Sequence, residues 1–344
     1  MDSSPPHNHD LACVVHLHST FSDGTGTVPE ILRAAKRAGA DVVLLTDHNT
    51  LEAKARGYEG WHDGVLLLVG EEVTPRRENH YLAFGVDEPV GWGDGSPAEI
   101  CRSVTAAGGF GFAAHPWSKG SPLFERASPM PWRDIDCDGL TGVELWSFVN
   151  DAGQTIASIG DVIRFIASPE RLLTDPPEEN LRDWDRLNAS GRRIVAIGGI
   201  DAHQVGKRVF GRWVLRPMGY HRSFRLLRTH VLLEAPPTGE VDSDREAVYS
   251  ALRDGRSYIG ADALAPARGF AFWPSDGGGG ATLNVRLAQP AEICLFANGE
   301  LVRTDTGDRL EHRVDAPGSY RVEAHLHALG RLRTWIVSNP IQVG

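Results

Sequence analysis

Val14-Val15-His16-Leu17-His18-Ser19-Thr20-Phe21-Ser22-Asp23-Gly24 is the stretch from which the fold can be worked out. Its apolar start predicts a short buried β-strand. Because residues i and i+2 of a strand point to the same face, His16 and His18 should direct their imidazoles to one point. The turn signal Ser22-Asp23-Gly24 can bring the Asp23 carboxylate back over the strand end. Nitrogen and oxygen ligands that meet at a strand end suit Zn, Mn or Fe.

The His-x-His spacing does not identify a metal site by itself. It recurs at residues 7–9, in a polar tail that contains proline, and at residues 325–327, in a predicted strand with no acidic loop behind it. The rest of the chain therefore decides whether His16 and His18 are ligands or core residues.

Length and composition bound the class of protein. The chain has 344 residues, of which 41% are apolar, enough for one large and one small domain. The net charge of −10 argues against a nucleic-acid partner, but bound cations can still recruit a phosphorylated substrate. The four cysteines have no C-x-x-C spacing and are expected to be reduced thiols. Neither a signal peptide nor a membrane-spanning run is visible, so we expect a cytoplasmic protein.

Strands and helices alternate through most of the chain, and the strands are apolar enough to be fully buried. Strands are predicted at residues 41–46, 65–69, 80–85, 110–114, 142–146, 193–198 and 231–234. Helices are predicted at residues 28–39, 51–58, 97–107, 155–167 and 244–255, and a further helix is predicted to end at residue 188. This order predicts a parallel sheet covered on both faces, with function at the carboxyl ends of its strands.

Side chains of the types that bind metals stand at these predicted strand ends. They are His16, His18, Asp23, His48, Glu72, His80, His115, Asp201 and His203. Any one of them alone is compatible with a satisfied core residue. Nine at successive strand ends predict a metal cluster.

Composition divides the chain into a tail, a large α/β domain and a small β domain. We expect a flexible tail over residues 1–10, the large domain over residues 11–262 and a helical insertion or lid within it at residues 150–190. Short strands and turn signals predict an all-β sandwich over residues 265–344. Packing or oligomerisation is its favoured role, and substrate binding is the alternative.

Five motifs in sequence order resemble the PHP (polymerase and histidinol phosphatase) superfamily over roughly residues 10–260. They are His-Leu-His-Ser-Thr-Phe-Ser-Asp-Gly, Thr-Asp-His-Asn-Thr, Gly-Glu-Glu-Val-Thr, His-Pro and Asp-Ala-His. The third motif and the appended β domain look most like the branch that includes carbaryl-hydrolase-like metallohydrolases. The resemblance implies a distorted (β/α)7 TIM-like barrel that holds two to three divalent ions (Mn, Zn or Fe), followed here by an immunoglobulin-like sandwich.

By motif position, the resemblance also implies an allocation of ligands to three metals. His16, His18, Glu72 and Asp201 would hold the first metal, Glu72 would bridge to the second, which His80 and His115 complete, and Asp23, His48 and His203 would hold the third. The residues expected to act in catalysis are Glu72, Asp201, His203 and Asp47.

Neighbouring carboxylates are assigned supporting or rival roles. Asp47 and Glu144 are predicted to orient imidazoles through their free N–H groups. Glu71 is the rival of Glu72 as the bridging ligand. Adjacent strand residues face opposite ways, so only one of the two can point inward, and motif position favours Glu72.

Clustered divalent cations predict hydrolysis by a hydroxide that bridges two metals. A phosphoesterase for a small phosphate ester is the favoured function, and a carboxylic or carbamic ester hydrolase with the same metals is the alternative. A non-catalytic binding module is a third, less favoured hypothesis. Lys119, Lys207 and Arg208 follow ligand motifs in loops and are candidates to bind a substrate anion, with solvated surface charge as the alternative.

Overall fold

The computed structural model describes residue 5 and residues 9–123, 129–204, 207–209, 212–215, 218–276 and 280–344, with backbone only at 207–209, 212–215 and 276. The strands of its N-terminal part are β1 (His9–Val15), β2 (Val42–His48), β3 (Gly60–His62), β4 (Val65–Val73), β5 (Tyr81–Phe84), β6 (Phe110–Ala113), β7 (Gly142–Ser147), β8 (Val195–Gly199), β9 (Lys207–Val209), β10 (Arg212–Leu215), β11 (Arg228–Leu233) and β12 (Ser257–Gly260).

Helices connect many of these strands, as expected for a mixed α/β fold. They are α1 (Val28–Ala38), α2 (Glu52–Ala55), α3 (Pro97–Ala106), α4 (Phe148–Thr155), α5 (Ile159–Ala167), a 3-10 turn (Pro169–Arg171), α6 (Glu178–Ala189), α7 (Tyr220–Ser223) and α8 (Val241–Arg253). Among the described residues, no helix combines the length and apolar character needed to cross a bilayer.

Most N-terminal strands form one sheet in the order β12-β11-β1-β2-β4-β5-β6-β7-β8, with β3 paired to β4, whereas β9 and β10 form a separate two-stranded sheet. β1, β2 and β4 are parallel, as are β6, β7 and β8. The residues after β8 return to the end of β1, where the Ile200 amide donates to the Val15 carbonyl at 3.0 Å and the His18 amide to the Ala202 carbonyl at 3.0 Å. The carboxyl ends of β1 and β8 therefore lie side by side.

The prediction of a wholly parallel sheet is wrong at several strands. β5 is antiparallel to both β4 and β6, and β11 is antiparallel to β1. Only residues 74–80 separate β4 from β5. A parallel pairing needs a crossover of a dozen or more residues, which this connection cannot supply.

The strands are apolar on both faces because each face has its own core. On β2, Val43 and Leu45 belong to the core that contains α1, while Leu44 belongs to the core that contains Val248 and Leu252 of α8. α1 begins where Glu30 accepts a hydrogen bond from the Thr27 amide at 2.9 Å. The sheet therefore holds its strand ends between two packed layers.

The C-terminal part is all-β and antiparallel. Its strands are β13 (Ala271–Asp276), β14 (Ala281–Ala297), β15 (Glu300–Arg313), β16 (Gly318–Ala328), β17 (Arg331–Ser338) and β18 (Ile341–Val343). The longest of them, β14, pairs with β15 in a register that shifts between Arg286 and Ala291. β17 pairs with β12, so this part continues the N-terminal sheet while packing around its own core.

The predicted insertion at residues 150–190 contains most of α4 and the helices α5 and α6. The helix predicted at 155–167 corresponds to α5, which begins later, at Ile159, where Ser158 caps it by accepting from the Asp161 amide; Thr155 is the last residue of α4. α6 packs on the C-terminal part, since Asp185 accepts two hydrogen bonds from Arg321 of β16 at 2.6 and 2.8 Å. The division of the chain into domains stays a prediction.

The predicted flexible tail is wrong at its last two residues, because β1 begins at His9. Most of the tail, residues 1–4 and 6–8, lies outside the described residues.

A buried polar network surrounds His230. Asp10 accepts hydrogen bonds from His230 at 2.8 Å and Tyr258 at 2.6 Å. His230 also contacts Asp262 at 3.2 Å, and Asp262 pairs with Arg228 at 3.1 Å. This buried polar group joins β1, β11 and β12 to the start of the C-terminal part.

The His230 network predicts a pH-dependent stability. Burial opposes protonation of His230, but its hydrogen bonds to Asp10 and Asp262 outweigh burial and raise its pKa to about 8. The protonated His230 therefore stabilises the folded state by about 2 kcal/mol. This stabilisation is complete below the unfolded pKa of about 6.5 and is lost as the pH rises through 8. Urea unfolding between pH 6 and 9 should show the wild type losing this advantage over His230→Gln. A difference in unfolding free energy between the two proteins that does not change with pH would contradict the prediction. The control is His62→Gln, which removes a hydrogen bond to the Tyr58 carbonyl.

Candidate metal centre

His16 and His18 converge as predicted, but not because they alternate along a strand. β1 ends at Val15, and His16 has the left-handed backbone φ of +62°. Leu17 forms a bridge to Ala202 in place of the strand. The Nε2 atoms of both histidines nevertheless lie 3.3 Å from Glu72 Oε2. The turn in the backbone, rather than the pleat, brings the two rings together.

Glu72 stands at the centre of the candidate site and is fully buried. Its Oε1 contacts His80 Nδ1 at 2.8 Å and His115 Nε2 at 3.4 Å, while its Oε2 contacts His48 Nδ1 at 3.1 Å in addition to the two histidines above. Burial opposes ionisation, but the charges of His16 and His80 outweigh it and hold the pKa of Glu72 well below its ordinary value.

Glu71 points away from this centre. Its Oε1 accepts a hydrogen bond from the Val90 amide at 2.6 Å, and burial raises its pKa to about 7. The opposite orientations of Glu71 and Glu72 agree with the pleat of β4.

The second half of the site is built around Asp201, which follows β8 with φ of +55°. Its Oδ1 lies 3.5 Å from His16 Nε2, 3.3 Å from His18 Nε2 and 3.4 Å from His203 Nδ1. The Asp23 carboxylate lies 3.1 Å from His203 Nε2 and is 58% exposed. Asp23 therefore lies on the side that opens to solvent.

The nine side chains form overlapping groups whose ligand atoms lie within 4.8 Å of one another. The groups are His18, Asp23, His48 and His203; His16, His18 and Glu72; His16, His115 and Asp201; and Glu72, His80 and His115. They include every residue that the motifs predicted. They differ from the predicted allocation in two ways: His18 joins the third group, and Asp201 is grouped with His16 and His115 rather than with His18 and Glu72. Mixed nitrogen and carboxylate sets of this kind suit Zn, Mn or Fe.

Unsatisfied buried nitrogens test whether a cation fits here. Both ring nitrogens of His18 and Nδ1 of His115 are buried without a hydrogen-bond partner. A buried polar atom left unpaired is costly, whereas a lone pair directed at a cation is satisfied. The residues therefore fit divalent metal ions.

Glu144 orients the His16 ring, as predicted, and also holds the backbone of His115. Its Oε1 accepts from His16 Nδ1 at 2.9 Å, and its Oε2 accepts from the His115 amide at 2.7 Å. The His16 ring is thereby held with its Nε2 free to face Glu72. Carboxylates that orient metal-binding histidines act in this way.

The prediction that Asp47 orients an imidazole is wrong. Asp47 Oδ1 accepts from the Ser19 amide at 2.7 Å and from Ser22 Oγ at 2.6 Å, and Oδ2 accepts from Ser19 Oγ at 2.6 Å. These three bonds occupy the carboxylate because the loop after His18 folds back over β2. Asp47 thus anchors the loop that carries Asp23, and its predicted catalytic role loses its geometric basis.

Three polar residues beside the cluster were missed. Thr74 Oγ1 accepts from His48 Nδ1 at 2.8 Å, Tyr220 donates to the His18 carbonyl at 2.6 Å, and Asn150 Nδ2 donates to Asp201 Oδ2 at 3.0 Å. Thr74 ends the quoted Gly-Glu-Glu-Val-Thr motif, which was a usable signal. Asn150 and Tyr220 lie in segments that carry no local metal pattern.

The three predicted anion-binding cations are not brought to the cluster by any described contact. Lys119 forms an ion pair with Glu179 at 2.5 Å and is 61% exposed. This pairing favours the alternative of a solvated surface charge. Lys207 and Arg208 begin β9, and their side chains lie outside the described residues.

Comparison with known proteins agrees with the motifs. The sequence model of the PHP domain matches residues 15–92. A protein of Methanocaldococcus jannaschii is 31% identical over 139 residues, which are 37% of this chain and 77% of the relative. The chain belongs to the PHP family. The matched residues 15–92 of this PHP protein include His16, His18, Asp23, His48, Glu72 and His80.

Further proteins are similar to this PHP protein in sequence or in structure. A phosphoribosyl 1,2-cyclic phosphate 1,2-diphosphodiesterase of Eggerthella lenta is 33% identical over 98 residues, 26% of this chain and 35% of the relative. A Bacteroides vulgatus two-domain protein containing a predicted PHP-like metal-dependent phosphoesterase has a TM-score of 0.47 at 16% identity, covering 97% of this chain and 95% of its own. A Bifidobacterium adolescentis protein has a TM-score of 0.33 at 20% identity, over 61% and 91% of the two chains. Assignment to the carbaryl-hydrolase-like branch stays a prediction.

Gly199 is expected to be essential to the position of Glu144. A Cβ at Gly199 would lie 1.8 Å from Glu144 Oε1 and 3.1 Å from His16 Cβ. Gly199→Ala should therefore displace the carboxylate and weaken metal binding about ten- to hundredfold. Calorimetric titration of the metal-free protein with Mn²⁺ measures the effect. Gly198→Ala is the control, because its Cβ would meet Ile259 and Leu227 instead; equal affinity in the two variants would contradict the prediction.

Proposed function

We propose that this PHP protein is a metal-dependent phosphoesterase that hydrolyses a small phosphate ester. The observation that carries the proposal is the set of nine histidine and carboxylate side chains in four overlapping groups around Glu72 and Asp201. Divalent cations bound by these side chains would supply the positive charge that attracts a phosphate.

The proposed allocation of ligands follows the motif positions. His16, His18, Glu72 and Asp201 would hold one metal, Glu72 with His80 and His115 a second, and Asp23, His48 and His203 a third. Bound divalent cations there would act as Lewis acids and lower the pKa of a water molecule toward neutrality. Asp47 holds the loop of Asp23 in place, and Glu144 fixes the ring of His16.

The serine hydroxyls nearest the site support hydrolysis without a covalent intermediate. Ser19 Oγ and Ser22 Oγ both donate to Asp47, at 2.6 Å each. Neither hydroxyl has a described hydrogen bond to a histidine that could remove its proton. A nucleophilic serine needs such a base within hydrogen-bond distance.

A phosphate ester is favoured over the carboxylic or carbamic ester alternative by the name of one relative, the Eggerthella lenta diphosphodiesterase. A non-catalytic binding module is less favoured because the ligand set is complete. We further propose that β1, β2 and β4–β8 form the distorted (β/α)7 barrel, supported by the bonds between the ends of β8 and β1. The immunoglobulin-like sandwich and the cytoplasmic location also stay proposals.

The proposal is tested by metal analysis and a substrate screen. Protein purified without chelator should carry more than one equivalent of Mn, Zn or Fe. The Mn-, Zn- and Fe-loaded forms are then assayed with p-nitrophenyl phosphate, bis-p-nitrophenyl phosphate, p-nitrophenyl acetate and a naphthyl carbamate. Hydrolysis of a phosphate ester that chelator abolishes is expected. Full activity in metal-free protein would refute the proposal, and hydrolysis of the acetate or carbamate alone would favour the alternative.

A further inference from the structure

Asn150 of α4 contacts the candidate metal centre from outside the PHP motifs. Its Nδ2 donates to Asp201 Oδ2 at 3.0 Å and lies 3.4 Å from Ser147 Oγ. Its Oδ1 accepts from Ser118 Oγ at 3.2 Å, and Ser118 is buried. Because Ser118 donates to one end of the amide, the other end is left to donate to Asp201.

The two carboxylate oxygens of Asp201 have different contacts. Oδ2 receives the Asn150 hydrogen bond, whereas Oδ1 lies 3.3 to 3.5 Å from His16, His18 and His203. A carboxylate held at one oxygen cannot rotate freely about its χ2 angle. The free oxygen therefore keeps one direction, toward the histidines.

We propose that Asn150 is a positioning residue that makes Asp201 bind metal through Oδ1 alone. This inference rests on the proposed function, because it requires that metal ions bind at the cluster. It makes α4, which begins directly after β7, part of the metal centre. The helical region at residues 150–190 would then contribute to the site through its first residue.

A neutral amide suits this position better than a charged side chain. An arginine or lysine at this position would compete with the cation for the charge of Asp201. An aspartate would repel the Asp201 carboxylate at about 3 Å. An amide donates one hydrogen bond and leaves the negative charge available to the cation. The residue type thus agrees with the proposed role.

The experiment measures metal affinity directly in the metal-free full chain. Mn²⁺ titration by calorimetry should show one site about ten- to hundredfold weaker in Asn150→Ala than in the wild type. Asn150→Asp should be weaker still, although it has nearly the same size. The visible absorption of Co²⁺-loaded protein should change in both variants. With the best substrate found, Asn150→Ala should lower kcat and leave KM within about twofold of the wild type, because the residue acts on Asp201 and not on the substrate.

A matched control separates positioning from general destabilisation. Asn188 is also a buried asparagine of this region, and its amide donates to the Trp184 and Ile194 carbonyls. Asn188→Ala should lower the melting temperature and leave Mn²⁺ affinity unchanged. If Asn150→Ala does not fold, Ser118→Ala replaces it, with a smaller loss of affinity expected because only the amide orientation is released.

Two outcomes distinguish failure of this inference from failure of the proposed function. Wild-type protein that binds no Mn²⁺, Zn²⁺ or Co²⁺ overturns the proposed function and the inference with it. Wild-type binding together with wild-type affinity and an unchanged Co²⁺ spectrum in Asn150→Ala overturns the inference alone.

Discussion

Glu72→Gln should remove tightly bound metal and lower turnover by about a thousandfold or more. The substitution keeps the size of the side chain but removes the charge that lies against five histidines at 2.8 to 3.4 Å. Because the two carboxylate oxygens belong to different groups of ligand atoms, one substitution is expected to affect two metals. Elemental analysis after gel filtration, combined with turnover of the best substrate, measures both effects.

Glu71→Gln is the matched control for this prediction. Glu71 is adjacent and equally buried, but its carboxylate accepts a hydrogen bond from the Val90 amide and faces away from the cluster. Glutamine can accept the same bond and resembles the protonated acid, so we expect metal content near that of the wild type. If Glu71→Gln were the more damaging variant, the ligand would be misassigned by one residue. If neither variant lost metal, the bridged cluster itself would be refuted.

Arg321→Ala should lower the free energy of unfolding by about 3–5 kcal/mol, the range for breaking a buried ion pair. The guanidinium donates two hydrogen bonds to Asp185 of α6 and one to Glu323 at 2.6 Å, and it lies over the Phe296 ring at 4.2 Å. Its removal leaves two buried carboxylates without a cation between the helical region and the C-terminal strands. Chemical denaturation at a fixed metal concentration measures the loss.

Arg303→Ala is the control, because Arg303 forms a partly exposed ion pair with Asp305 on β15. Such pairs contribute about 1 kcal/mol or less, so this variant should unfold nearly as the wild type does. Metal stoichiometry should be unchanged in both variants, since neither residue belongs to a ligand group. A loss below about 1 kcal/mol in Arg321→Ala would show that the two parts are not joined by this contact.

The candidate ligands could be predicted from the sequence because all but one stand at or just after the carboxyl ends of apolar strands. The exception, His80, precedes β5, whose antiparallel course brings its start beside the end of β4. Neighbouring strands of a sheet bring such ends together whatever the details of the turns, and this is why all nine residues fall in the observed groups. The choice of Glu72 over Glu71 depends only on the alternation of side chains along β4. Both inferences use local geometry.

Side-chain orientations that depend on contact with a segment folded back from elsewhere in the chain could not be predicted. Asp47 was expected to face an imidazole, but the folded-back loop of Ser19 and Ser22 occupies its carboxylate. His16 and Asp201 reach the site through left-handed backbone conformations that no residue pattern announces. The antiparallel course of β5 follows from a connection too short for a crossover, a constraint missed when the strands were read only as apolar runs.

The sequence by itself determined which residues are available as metal ligands and at which strand ends they stand, because strand patterning is a property of neighbouring residues. Only the tertiary structure decided what supports them. Glu144 contacts His16 from 128 positions away, Asn150 contacts Asp201 from 51 positions away, and Arg321 contacts Asp185 from 136 positions away. Contacts over such separations depend on the packing of complete layers, and no local preference of either partner encodes them.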